Sequence, residues 1–61
     1  MKTFQIFDKE TLALRDQCSF HDIATLDQVK LALARRFYEG RNMSDEISLK
    51  FFNNTYLVEE Q

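Results

Sequence analysis

Sixty-one residues, 44% hydrophobic with six Phe, describe one small domain over 1–61. A chain this short buries only about 60% of its unfolded surface. A formal net charge of −2 counts against a dedicated nucleic-acid binder. The single cysteine, Cys18, excludes an internal disulfide and favours a reducing, cytoplasmic setting. The opening MKTFQIFDKE lacks the apolar run of a signal peptide, and nothing approaches the roughly 18 consecutive apolar residues of a membrane span.

From the N-terminus, Thr3 to Asp8 alternates as a strand does, with Phe4 and Ile6 on one face and Thr3, Gln5 and Phe7 on the other. Asp8-Lys9-Glu10 reads as a short loop, although its left-handed position would usually carry Gly or Asn rather than Glu10. Thr11 to Arg15 reads as the returning strand. Pairing Ile6 with Leu12 and Phe4 with Leu14 keeps the apolar residues on one side. The same parity then meets Asp16 ahead of Cys18 and Phe20. A carboxylate does not belong in that row, so either the strand ends near Arg15 or a bulge shifts the phase.

Cys18, His21 and Asp22 lie close in sequence. One Cys and one His in the whole chain make neither a zinc site nor a convincing nucleophile–base pair. Cys18 reads as a small buried hydrophobe, and His21-Asp22 as a loop. The sequence points to no catalytic residue, no metal and no cofactor.

Thr25 to Gly40 carries the strongest helical signals. Thr25 and Gln28 form a T-x-x-Q capping box, Asp27 suits the first turn, and Gly40 stands where a left-handed residue after the helix is expected. Leu26, Val29, Leu33 and Phe37 make one apolar stripe. Leu31, Ala34 and Tyr38 fall on a second side, either ordinary exposed surface or a contact for a partner. Lys30, Arg35, Arg36 and Arg41 load the helix and its exit with positive charge.

Past a connection at 41–45, Ile47, Leu49 and Phe51 alternate as a third strand would. Asn53-Asn54 suits a two-residue type I′ turn, and Thr55 to Glu59 returns with Phe51 facing Tyr56 and Leu49 facing Val58. The expected fold class is α+β, ββαββ, with a four-stranded mixed sheet packed on one helix. Its expected core takes in Phe4, Ile6, Leu12, Leu14, Phe20, Leu26, Val29, Leu33, Phe37, Ile47, Leu49, Phe51, Tyr56 and Val58.

In order and length, with FQIFDKETLAL leading into TLDQVKLAL and ending in TYLVEE, the chain resembles the β-grasp fold. That is the plan of ubiquitin-like proteins and of the immunoglobulin-binding domains of proteins G and L. The resemblance implies sheet order 2-1-4-3 with a parallel central pair. It implies no conjugation or sulfur carriage, because Glu59-Glu60-Gln61 takes the place of a Gly-Gly tail. No antibody-binding residues are matched, and fold analogy alone transfers no function.

The functional expectation is a small non-catalytic protein-binding module. Its contact surface is the sheet face turned away from the helix, at Phe7, Arg15, Lys50, Phe52 and Leu57, since aromatic residues with nearby cations suit interface centres. The helix strip Leu31, Ala34, Arg35 and Tyr38 is the second candidate. Its partner is a foreign protein or a second copy in a homodimer. The same profile suits a phage- or mobile-element-encoded inhibitor or regulator of a host protein, a small subunit or an adaptor. The alternative is a nucleic-acid accessory protein acting through Lys30, Arg35, Arg36 and Arg41, whose affinity would fall steeply with salt.

Overall fold

Alternating apolar and polar residues produce the first strand, β1 (Lys2–Asp8), in the computed structural model, which describes residues 1–61. β1 is central, with β2 (Leu14–Phe20) and β3 (Tyr56–Glu60) on either side in the order β2-β1-β3. Both pairings are antiparallel. Between β2 and β3 the chain forms two helices, α1 (Leu26–Phe37) and α2 (Asp45–Thr55). The class is α+β, but the order is ββααβ on three strands. The four-stranded β-grasp plan, with its parallel central pair, is not what this chain forms.

The first hairpin exists, displaced by four residues. Phe4 pairs with Cys18 and Ile6 with Asp16, where the alternation had suggested Leu14 and Leu12. The cause lies in the loop. Asp8 accepts backbone N–H bonds from Glu10 (2.9 Å) and Thr11 (3.2 Å) on one carboxylate oxygen, and the Leu12 N–H donates to the Asp8 carbonyl at 2.8 Å. This holds 9–13 as a wider turn, which needs a left-handed residue near its end. Leu12 fills that position at φ 60. A slip of four preserves strand parity, so β1 keeps its inward set while Leu12 and Leu14 leave the core, 65% and 53% exposed.

A bulge follows, because Phe7 pairs with Leu14 and Ile6 with Asp16, leaving Arg15 as the extra residue. Asp16 therefore faces the helices from an edge strand. It is half-buried, accepts from the Gln17 N–H at 2.8 Å, and lies 3.9 Å from the Arg36 guanidinium.

α1 begins as its sequence dictates. The Thr25 hydroxyl accepts from the Gln28 N–H at 3.2 Å and the Gln28 side chain accepts from the Thr25 N–H at 2.9 Å. The helix ends at Phe37. Its two stripes have two separate covers. Val29 and Leu33 join Phe4, Ile6 and Val58 in the core, while Ala34, also in the core and fully buried, belongs to the stripe that α2 packs against.

Residues 45–55, where a strand at 47–52 and a turn at Asn53-Asn54 were expected, are helical for local and tertiary reasons together. The Ser44 hydroxyl caps the helix by accepting from the Ile47 N–H at 3.3 Å, and Asp45 and Glu46 meet the positive end of the dipole in the first turn. The buried positions are Ser48 and Phe52, four apart, with Leu49 and Asn53 half-buried beside them. That is helical spacing. Ile47 and Phe51 turn outward, 48% and 51% exposed, while Phe52 is fully buried. A fourth strand would have left the second stripe of α1 bare, and a second helix covers it.

Seven hydrophobic side chains make the core: Phe4, Ile6, Val29, Leu33, Ala34, Phe52 and Val58. Phe20, Phe37, Leu49 and Tyr56 pack around it half-buried, and Leu26 stays exposed. Phe52 lies against the Phe37 ring at 5.4 Å and the Tyr56 ring at 5.3 Å. Each fully buried side chain of this size contributes about 1.5–3 kcal/mol gross.

Candidate protein-binding surface

Both helices contribute buried residues to one cluster with Phe4, Ile6 and Val58, so they share one face of the sheet. The opposite face has no second layer. The register across it is fixed by the two pairings. Leu14, Phe7 and Leu57 stand side by side, one from each strand, and Gln17, Gln5 and Glu59 form the next row. Ser19 and Thr3 come after these. Gln5 donates to Gln17 at 3.3 Å, and the hydroxyls of Thr3 and Ser19 are 3.4 Å apart. The face thus reads as an apolar row at the end nearest the 9–13 loop, followed by polar rows in which Glu59 is the one charge. Phe7 on the middle strand is half-buried by its neighbours, and Leu57 is 39% exposed.

Of the five residues expected to share this surface, the structure pairs two on it, Phe7 and Leu57, which are cross-strand partners. Arg15 sits in the bulge beside Leu14, its guanidinium 3.3 Å from the Asp8 carboxylate. Phe52 is instead a core residue, and Lys50 lies exposed on α2, because both belong to a helix rather than to a strand. Leu14 is the member that alternation missed. It was assigned to the core, and the signal that could have moved it was Asp16 breaking the inward row.

The second candidate strip is largely consumed within the chain. Ala34 is buried, the Tyr38 ring meets the Phe51 ring edgewise at 6.5 Å, and Leu31 is half-buried. Arg35 grips Asp45 through two hydrogen bonds, at 3.0 and 2.6 Å. The partner of this strip is α2. The same geometry bears on the basic helix, where Arg35 is paired with Asp45 and Arg36 lies near Asp16, so two of the four cations have carboxylates beside them.

Titratable groups stand apart rather than in a constellation. Burial, and then the nearby Asp16 charge, push the Cys18 thiol up, away from a reactive thiolate. His21 is exposed, and Asp22 holds the N-terminal amine at 3.0 Å. The backbone N–H groups of Thr11 and Glu10, helped by Arg15, hold Asp8 below the usual carboxylate range. Arg35 does the same for Asp45. No three His, Cys, Asp or Glu side chains converge as metal ligands, and the surface has no cavity. No helix is long and apolar enough to cross a membrane.

Compared with protein-family models, with curated proteins and with solved structures, the chain matches none.

Proposed function

We propose that this chain is a non-catalytic protein-binding module whose contact surface is the uncovered sheet face centred on Phe7. The observation that carries the reading is the apolar row Leu14–Phe7–Leu57, which spans all three strands on a face that no other element of the chain covers. Charge depletion with a large apolar centre is the compositional mark of an interface core. Leu12 adds to this. A leucine at φ 60 is strained by about 1–2 kcal/mol, and at 65% exposure its side chain recovers little of that inside the monomer. Contact with another molecule gives an apolar residue in that loop a purpose. The module acts by covering this face with a protein partner, either a foreign protein or a second copy of the chain.

The test places a photo-crosslinking benzoyl-phenylalanine at Gln5, in the open face, and in a separate protein at Lys30 on α1. Irradiation in the native cell should yield a discrete adduct from position 5 and none from position 30. Adducts from position 30 alone would put the contact surface on the helices and sink the reading.

A further inference from the structure

We infer that the occupant of the open face is a second copy of this chain, stacked sheet on sheet about a two-fold axis that runs parallel to β1 between the two sheets. This rests on the reading of that face as the contact surface. Two observations select a second copy over a foreign strand or an oppositely charged partner, and a third bounds the strength of the contact.

The first is self-complementarity. Rotation about such an axis lays β1 over β1 of the copy and β2 over its β3. Phe7 then meets Phe7, and Leu14 meets Leu57, so the apolar row covers itself. In the next row Gln5 meets Gln5 and Gln17 meets Glu59. The chain carries eight basic and ten acidic residues, yet Glu59 is the one charge in these two rows. Its carboxylate falls opposite an amide that donates, not opposite its own symmetry mate. A face with so little charge needs no oppositely charged partner, and its own image satisfies it.

The second is the edges. β2 carries the Arg15 bulge and the inward-facing Asp16, and β3 is five residues long and ends in two glutamates. Bulges, inward charges and short charged strands are the devices that blunt edge-to-edge pairing. Both edges are guarded against strand addition, and the broad face is not.

The third is area. The molecule measures 30 × 28 × 16 Å along its principal axes, and its sheet has three strands. Three strands of five to seven residues cover roughly 300–400 Å² in plan, so the stack falls short of the roughly 1,200 Å² total of a standard interface and is a weak, concentration-dependent dimer. The stack is an α-β-β-α sandwich with its sheets about 10 Å apart.

Sedimentation equilibrium from micromolar to millimolar concentration tests this, with far-UV circular dichroism verifying that each variant is folded. The natural chain should show a monomer–dimer equilibrium. Phe7→Lys sets two cations together on the axis and should weaken the dimer by about 30-fold or more. Gln17→Glu opposes two carboxylates to Glu59 across the stack and should weaken it several-fold, more at low salt. Gln17→Lys should hold or tighten it, and Phe51→Lys, on the helical side, should leave it unchanged. Gln17 is exposed, so its two variants decide the matter even if Phe7→Lys unfolds the chain. A chain that stays monomeric at millimolar concentration overturns the second copy. The contact-surface reading then stands or falls on whether Gln5 crosslinks to a different protein. A dimer that ignores Phe7 and Gln17 but is broken by Phe51→Lys overturns both.

Discussion

Two adjacent phenylalanines separate the helix at 45–55 from the strand that alternation suggests. In the structure Phe52 is fully buried and Phe51 is 51% exposed, whereas a strand with Ile47, Leu49 and Phe51 inward would reverse them. Phe52→Ala removes a ring packed on Phe37 and Tyr56. A buried Phe→Ala change typically costs about 3–5 kcal/mol. A domain of this length has a total stability of about 3–9 kcal/mol, so the variant should be largely unfolded or close to its midpoint in plain buffer. Phe51→Ala removes one edgewise contact with Tyr38 at 6.5 Å and leaves no buried void, and should cost less than about 1 kcal/mol. Urea titrations followed by far-UV circular dichroism give both values on one scale. If Phe51→Ala proves the more damaging, residues 45–55 do not form a helix with these faces, and the two-helix layer is wrong.

Other outcomes follow from single features. Ser44→Ala removes the cap of α2 and should lower stability by about 1 kcal/mol, read from the urea midpoint. Leu12→Asn relieves the left-handed backbone and should raise stability by about 0.5–1 kcal/mol, read from the urea midpoint. Asp8 has a folded-state pKa below its unfolded value. Its contribution is therefore present above about pH 4 and lost as pH falls through the depressed value. Asp8→Asn should flatten that part of the stability profile when urea midpoints are compared from roughly pH 6 down to roughly pH 2.

The open face was legible in part. Phe7 and Leu57 could be placed by parity because each lies in a strand whose alternation is unambiguous, and β1 keeps its inward set whichever even register β2 adopts. Phe52 and Lys50 were misplaced with them because ISLKFF satisfies two periods at once. Ile47 and Phe51 share a face in a strand, and being four apart they share one in a helix too. The choice between the periods lies outside that stretch. It lies in the bare second stripe of α1, at Ala34 and Tyr38, which only another helix was placed to cover.

The sequence by itself determined what is decided within a few residues. The Thr25–Gln28 capping box, the alternation of β1 and the inward set of Phe4, Ile6, Val29, Leu33 and Val58 depend on local hydrogen bonds and local periodicity. Two further features were visible only in the folded structure. The four-residue slip of β2 arises because Asp8 organises a wide loop and Leu12 accepts a strained φ. Ile6 then pairs with Asp16 across the sheet, and Leu14 is released to the open face. The conversion of 45–55 to a helix likewise depends on a surface supplied by α1. The slip turns on loop hydrogen bonds that alternation does not display, and the helix on burial against residues distant in the chain.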